Sequence, residues 1–359
     1  MRRRTFMRYG GGVGATLALA GCLDDEDEDD PQPDDDGTDA DEPDTETDDT
    51  DDAGLDFPTE SLEWMVPWSE GGGTDQYVRT IQPIVEEELG ESIAVDNREG
   101  ASQQIGTQHL YTQEPDGHRF GTVTVPGWQF AWLIDEIDDW HVAEFEPIAT
   151  HGEFGYTIIV NDAYGIEDFE ELRDAYDDGE IGTFAFQGVG SASHVVTQLL
   201  RDEYGMNWES SVPYDGGALV NEAVISDEVP AGISTNTSAV DAVDSGEASM
   251  AVNLTTLELE AFPEVESIAE YGDEMDYITR FVQTAIAPPE TPENVRQVVS
   301  EAIETAVEHK DTQAWSEETG NIVSYGDMDE ANEQIEGTLS QLEENVDIEE
   351  FRQMVEEEG

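Results

Sequence analysis

The chain has 359 residues, more than a single hydrophobic core usually supports, which favours two domains. Asp and Glu number 87 against 13 Lys and Arg, giving a formal net charge of −74 at pH 7. So strong a negative charge excludes nucleic acid and anionic lipid surfaces as natural partners. Because Cys22 is the single cysteine, a disulfide framework is excluded as well.

The first 22 residues have the pattern of an export signal. Arg3 and Arg4 precede a mild, glycine-rich apolar run, as in a twin-arginine signal, and LAGC at 19–22 is typical of a lipobox. We expect Cys22 to carry lipid as the first residue of the mature chain, so that only this anchor touches the membrane. The alternative is an unmodified thiol after an apolar segment that is too short for a stable spanning helix.

Residues 23–58 form an acidic segment with no apolar pattern. Asp and Glu fill 19 of the 29 positions from 24 to 52, mixed with Pro, Thr and Gly. Such a composition cannot bury a core and repels itself, which predicts a disordered tether.

From residue 61 onward, short apolar runs alternate with helical periodicity, which predicts βαβ units and an α/β fold. The predicted strands are LEWMVPW (62–68), SIAVDNREG (92–100), HRFGTVTV (118–125), GYTIIVN (155–161), GTFAFQ (182–187), VPAGIST (229–235) and SMAVNLT (249–255). The predicted helices are TDQYVRTIQPIVEEELG (74–90), SQQIGTQHLYTQ (102–113), SHVVTQLLRDEYG (193–205) and most of 292–359. VPYDGGALVNEAVI (212–225) is predicted to be a strand end, a turn and a helix.

Three strand-to-helix junctions carry glycine and small polar residues: WSEGGGTD (68–75), QGVGSASH (187–194) and YDGG (214–217). A helix N-terminus offers unpaired backbone N–H groups and a positive dipole end, so it binds an anion without a cation. The plain alternative is that these are tight turns, which need glycine anyway. Three such loops at the carboxyl ends of strands, where open α/β sheets place ligands, favour binding.

Other chemistries find little support in the sequence. Neither G-x-G-x-x-G nor G-x-x-x-x-G-K-[ST] occurs, so nucleotide sites are not expected. Ser191 or Ser193 beside His194 would suggest a hydrolase, but G-x-S-x-G is missing and neighbours on one helix start rarely align for proton transfer. The six histidines lack metal-ligand spacing, and four of them, including His151, are expected at the surface or in loops. We therefore expect no enzyme, no cofactor and no metal.

Six short segments in order resemble one known family. They are VPWSEGGGTD (66–75), DNREGA (96–101), IG (105–106), PDGHRF (115–120), GVGSASH (188–194) and VPYDGG (212–217). Together they resemble the Bug family, the TctC-type substrate-binding receptors of tripartite tricarboxylate transporters, over roughly residues 60–345. The resemblance implies a two-lobed, type II periplasmic-binding-protein fold that closes on a small carboxylate like a flytrap and delivers it to a membrane permease.

The resemblance also implies an organisation. Lobe 1 is expected to comprise 59–155 with 256–359 and lobe 2 to comprise 156–255, with crossovers near EFGYTIIVN and after MAVNLT. We expect a monomeric, extracytoplasmic lipoprotein anchored to the outer face of the cytoplasmic membrane.

Site residues follow position by position from the same resemblance. The ligand-binding candidates are Trp68, Ser69, Gly71, Gly72, Gly73 and Thr74 in the first loop, Gly190, Ser191 and His194 in the second, and Tyr214, Gly216 and Gly217 in the third. Asp75 is a further candidate, expected to cap its helix and orient the loop, because a bare carboxylate repels an anion. Trp128, after the third strand, is expected either to stack on the ligand or to pack inside.

The second lobe departs from the family pattern. Gln187 stands where small polar residues are common, and Ser234 stands near the position of an Asp-Asn pair; both are kept as ligand-binding candidates. Ligand identity therefore stays open. A receptor for a phosphonate, sulfonate or amino acid is one alternative, which Arg98 or Arg119 inside the cleft would favour, and a sensory ectodomain without transport is another.

The charge pattern, which resembles that of proteins from extreme halophiles, generates a prediction. Molar salt shortens the Debye length to about 3 Å and so weakens repulsion among surface carboxylates. We expect the melting temperature to fall steeply, and the protein to unfold, on dilution from molar to low salt. Circular dichroism across a salt series measures this, and a melting temperature that does not fall on dilution contradicts it.

Overall fold

The computed structural model describes residues 55–358 except 136, 138 and 215. The predicted signal, Cys22 and most of the tether lie outside the described residues. Within this described range, no helix is both long enough and apolar enough to cross a membrane.

The described residues form an α/β fold. Its strands are β1 (Leu62–Val66), β2 (Ile93–Asn97), β3 (Arg119–Val125), β4 (Glu146–Asn161), β5 (Thr183–Phe186), β6 (Ser210–Pro213), β7 (Ala231–Thr235), β8 (Ala248–Asn253) and β9 (Arg280–Ala287). Its first seven α-helices are α1 (Gly73–Leu89), α2 (Gln104–Tyr111), α3 (Gly127–Asp135), α4 (Phe169–Asp177), α5 (Ala192–Asp202), α6 (Gly217–Ile225) and α7 (Asn236–Asp244). The later helices are α8 (Asp276–Thr279), α9 (Glu293–Glu308), α10 (Lys310–Thr319), α11 (Met328–Asn332), α12 (Thr338–Asn345) and α13 (Ile348–Glu358).

The sheet has two halves that share one strand. In the first half, β1 pairs in parallel with β2 and β3, and β9 lies antiparallel between β3 and the first part of β4. In the second half, β5 pairs in parallel with β6 and β7, while β7 and β8 pair antiparallel with the rest of β4. The expected α/β fold with two lobes is confirmed.

Strand β4 is the direct link between the halves. Its pairing with β9 ends at Gly155, and its pairing with β7 begins at Tyr156. The sequence predicted only the part from residue 155, because the preceding EPIATHGEF mixes charged, polar and glycine positions. The exact boundaries of the lobes stay a prediction.

Each half has its own apolar core. In the first half, α1 buries Val78, Ile81 and Val85, spaced by three and four residues, against strand residues that include Trp64. In the second half, Ile158 and Phe184 belong to a separate cluster. Burying a side chain of this size contributes roughly 1.5–3 kcal/mol, so each half has a substantial core of its own.

The last helix contacts both halves. The ring of Phe351 on α13 lies 5.4 Å from that of Phe130 on α3 and 5.4 Å from that of His194 on α5. The segment after β9 therefore packs on the second half as well as the first.

The expectation that His151 lies at the surface or in a loop is wrong. His151 lies on β4 and is fully buried, with its Nε2 atom 2.9 Å from the Thr122 hydroxyl. Burial lowers the pKa of His151 to about 3, so the ring is neutral inside the fold. The cause of the error is that β4 begins nine residues before the predicted strand.

Candidate functional site

A cavity of about 560 Å³ lies between the two halves of the sheet. Its size is within the usual range for small-molecule sites. Among the residues that the structure describes, all 25 that line it are uncharged. Charged side chains make up 28% of the whole sequence, so the cavity wall is unlike the rest of the surface.

Six helices begin at this cavity, three from each half. The lining residues at or just before their first turns are Gly72, Gly73 and Thr74 for α1, Gln103 for α2, Gly127 for α3, Gly190, Ser191 and Ala192 for α5, Gly216 and Gly217 for α6, and Thr235, Thr237 and Ser238 for α7. The first N–H groups of a helix have no partner within the helix, and its N-terminus carries about half a positive charge. Together they give a positive potential without a lysine or arginine in the wall.

Loop 1 (68–74) leads into α1. Trp68 and Ser69 line the cavity together with Gly72, Gly73 and Thr74, whereas Gly71 is not among the lining residues. Gly71 has a φ of +81°, a conformation that favours glycine, and it turns the chain toward the helix. The first predicted loop thus reaches the cavity through five of its predicted residues.

Asp75 lies beneath loop 1 and is almost fully buried. Its carboxylate accepts hydrogen bonds from the Gly71 N–H at 2.8 Å, from Arg79 Nε at 2.8 Å and from Asn97 Nδ2 at 2.9 Å. Burial disfavours the ionised form, but these hydrogen bonds outweigh it and hold the pKa of Asp75 below its usual range. Asp75 therefore fixes the loop and does not line the cavity.

Loop 2 (187–191) leads into α5. Gln187, Gly190 and Ser191 line the cavity, and the Ser191 side chain caps the helix by accepting from the His194 N–H. His194 is only 2% exposed and is not among the lining residues. Its Nδ1 atom accepts a hydrogen bond from the Gly190 N–H at 3.2 Å, so this ring positions the loop from behind.

Loop 3 (214–217) and the start of α7 complete the second half. Gly216 and Gly217 line the cavity, whereas Tyr214 is not among the lining residues and packs beside an apolar cluster. Ser234, a predicted contact, is fully buried and does not line the cavity. Since side chains alternate along a strand, the neighbouring Thr235 lines it instead.

The expectation that Trp128 stacks on a ligand is not met in the structure. Its side chain is fully buried, 5.3 Å from the ring of Phe145, and it does not line the cavity. Helix α3 begins at Gly127, so positions 127, 130 and 131 share the face toward the cavity while 128 points away. Trp128 instead packs inside the protein, which was the other alternative.

Sequence reasoning missed the loop before α2. Ala101, Ser102 and Gln103 all have positive φ, which is strained for residues with side chains, and the last two line the cavity. The Gln103 amide donates to the Thr124 carbonyl and accepts from the Thr124 N–H at 2.7 Å. The signal in the sequence was EGASQ at the carboxyl end of a predicted strand.

Sequence reasoning also missed further lining side chains, among them Tyr77, Phe130, Phe154, Tyr156, Phe281 and Asn321. Most of them come from strands and helices whose closeness depends on the tertiary fold, so no local pattern marks them. The two arginines that would favour a zwitterionic ligand are not among the lining residues, and Arg98 instead pairs with Asp96.

One group of potential metal ligands lies away from the cavity. Glu63 on β1, Asp96 on β2 and His109 on α2 place their ligand atoms within 4.8 Å of one another. Asp96 already binds Arg98, and all three residues are half-buried. We interpret the group as a surface ion-pair cluster.

Comparison with known proteins identifies the family. The family model described as tripartite tricarboxylate transporter family receptor, TctC, matches residues 77–347. The chain belongs to this family. A UPF0065 protein of Agrobacterium vitis is 24% identical over 252 residues, covering 70% of this chain and 72% of that protein. BugT of Bordetella pertussis is 24% identical over 222 residues, covering 60% and 67%. The predicted resemblance to the Bug family is thus confirmed.

Solved TctC-type structures share the fold. A TctC solute-binding protein from Polaromonas gives a TM-score of 0.69 at 17% identity, covering 84% of this chain and 99% of that one. A protein of Rhodopseudomonas palustris solved with adipate gives 0.69 at 21% identity, covering 83% and 98%. MatC of the same organism, solved with bound malate, gives 0.62 at 21% identity, covering 83% and 100%.

The hydrogen bonds of Asp75 generate a prediction about stability. Asp75→Asn removes the charge that Arg79 and the Gly71 N–H contact, so we expect the free energy of unfolding at pH 7 to fall by about 1–3 kcal/mol. Because the pKa is lowered in the folded state, this contribution is complete above pH 3.8 and is lost as pH falls through the folded pKa. Urea unfolding in molar salt measures it.

Asp96→Asn is the matched control for that measurement. Asp96 also pairs with an arginine but is 31% exposed, so its loss is expected to cost less than about 1 kcal/mol. Equal effects of the two substitutions would contradict the role assigned to Asp75.

Proposed function

We propose that this chain is the extracytoplasmic solute-binding receptor of a tripartite tricarboxylate-type transporter and that it binds a small carboxylate in the cavity between the two halves. The observation that carries the proposal is the convergence of six helix N-termini on a cavity without charged lining residues in the described part of the chain. The TctC family is a family of receptors, which supports a binding role over a catalytic one.

The electrostatics of the cavity favour an anion over a cation or a neutral solute. Unpaired N–H groups at helix starts donate directly to carboxylate oxygens, and the helix dipoles add to this attraction. Inside a cavity this attraction is screened by salt far less than an exposed ion pair is. A protein of net charge −74 thereby holds a negative ligand without using its few cations.

Two structural relatives support the carboxylate class. One Rhodopseudomonas palustris protein was solved with adipate, and MatC was solved with malate; both ligands are dicarboxylates. We infer that ligand binding favours a closed arrangement of the two halves and that the membrane permease recognises that arrangement. The ligand shifts this equilibrium only by the difference between its contacts in the two states.

Ser191 and His194 have structural tasks, which supports the absence of catalysis. The Ser191 hydroxyl donates to the Gly188 carbonyl at 2.9 Å, and the His194 Nδ1 atom accepts from the Gly190 N–H. Both contacts serve the geometry of loop 2 and of the start of α5. We propose that the receptor works as a monomer held at the outer face of the cytoplasmic membrane by lipid on Cys22.

A ligand panel tests the proposed function. The panel consists of mono-, di- and tricarboxylates at millimolar concentration in molar salt. We expect at least one of them to raise the melting temperature of the purified protein by several degrees, because a ligand that binds the folded state stabilises it. Thermal shift measures this. If phosphonates or amino acids stabilise the protein and no carboxylate does, the proposed ligand class is wrong.

Gly73→Val tests the location of the anion. Gly73 lines the cavity at the first position of α1, and no atom lies within 4 Å of a Cβ built on it, so a side chain there enters open space beside the helix start. We expect this variant to lose stabilisation by the carboxylate. Gly337→Val is the matched control, because its Cβ meets only ordinary contacts and lies away from the cavity. Retained stabilisation in Gly73→Val would contradict the assignment to α1.

A further inference from the structure

We propose that the carboxylate bound by this site carries an apolar body, a hydrocarbon chain or ring without hydroxyl groups. This inference rests on the proposed function. It concerns the part of the ligand that is not a carboxylate group. The body would pack against an aromatic wall, which we define as Phe130, Phe154, Tyr156 and Phe281.

The aromatic wall follows from strand geometry. Phe154 and Tyr156 are two residues apart on β4, so their side chains point to the same face, and Phe154 is the register partner of Phe281 on β9. The rings of Phe154 and Phe281 stack with centroids 5.0 Å apart and an interplanar angle of 9°. Tyr156 meets Phe281 edge to face at 4.7 Å. Three rings of the wall are therefore packed together on β4 and β9, and Phe130 of α3 belongs to the same apolar cluster as Tyr156 and Phe281.

The polar atoms of the nearby aromatic side chains already have partners within the protein. The Tyr77 hydroxyl donates to the Glu153 carbonyl at 3.0 Å, and Trp68 Nε1 donates to the Thr124 hydroxyl at 3.3 Å. The Tyr156 hydroxyl is hydrogen-bonded to Ser193, which opposes the rise that burial causes in the pKa of that phenol. These residues thus offer the ligand mainly hydrocarbon surface.

Two polar side chains in the lining are likewise engaged. Both ends of the Gln103 amide bind the backbone of Thr124, and Gln187 Nε2 donates to the Ile233 carbonyl at 3.3 Å. The remaining polar lining groups, the backbone N–H groups and the Ser and Thr hydroxyls such as Ser69 and Ser102, lie on the loops and helix starts and not on the aromatic wall. A carboxylate fits there, whereas a hydroxyl group facing the aromatic wall would lose its hydrogen bonds to water without replacement.

Adipate and galactarate provide a matched test of this idea. Both are six-carbon dicarboxylates of equal charge, and galactarate differs in carrying four hydroxyl groups on its body. We expect adipate to bind the wild-type protein at least tenfold more tightly, measured by isothermal titration calorimetry in molar salt. Along the series succinate, glutarate and adipate, affinity is expected to rise about fourfold per methylene group.

Substitution at Phe154 tests whether the wall causes the preference. Phe154→Gln is expected to reduce the adipate-to-galactarate affinity ratio at least threefold, and Phe154→Leu, which stays apolar, is expected to reduce it less. The ratio is measured within one variant, so a general loss of stability does not imitate the effect. An unchanged ratio in Phe154→Gln overturns the role of the wall.

The outcomes separate this inference from the proposed function. If galactarate binds as tightly as adipate or more tightly, the apolar body is wrong while the carboxylate receptor stands. If no carboxylate of any kind binds, the proposed function itself fails.

Discussion

The structure of the site depends on one electrostatic constraint: a chain of net charge −74 has to attract and hold an anion. Lysine and arginine are scarce in this sequence, and in molar salt an exposed ion pair would be strongly screened. Backbone N–H groups at helix starts avoid both problems, because they carry partial positive charge, have fixed geometry and do not depend on a side chain. The glycines of loops 1 to 3 expose these groups.

The topology of the sheet determines where those helix starts meet. Open α/β sheets place the helix N-termini beyond the carboxyl ends of their strands, and two such half-sheets face each other across the cavity. Strand β4 then connects the halves, and together with β9 and α3 it contributes the aromatic wall. The site thus has two kinds of surface, donors from the loops and rings from the connecting strands.

Local sequence patterns identified loops 1 to 3, but they identified neither the loop before α2 nor the residues deep in the cavity. Gly72, Gly190 and Gly216, which were predicted to bind the ligand, line the cavity, and a local pattern marks them because the strand end, the glycine loop and the helix start are adjacent in sequence. The sequence left Trp128 open between the ligand and the core, because helix phase, not loop position, decides which way its side chain points.

The other differences between prediction and structure concern strands: which face a residue occupies, which strands pair, and where a strand begins. Ser234 was chosen over Thr235 because counting from a flanking residue does not fix the face of a strand. Phe154 and Phe281 are 127 residues apart in sequence and meet only because β4 pairs with β9. No local sequence pattern reveals that pairing. His151 was expected at the surface because the first part of β4 lacks clear strand periodicity.

The most direct test of the central claim is a crystal structure with the carboxylate that raises the melting temperature most. The account predicts carboxylate oxygens about 2.7–3.2 Å from backbone nitrogen atoms at the start of α1, with no lysine, arginine or metal in contact. A carboxylate held by a guanidinium or by a metal ion, or bound away from these helix starts, would contradict it.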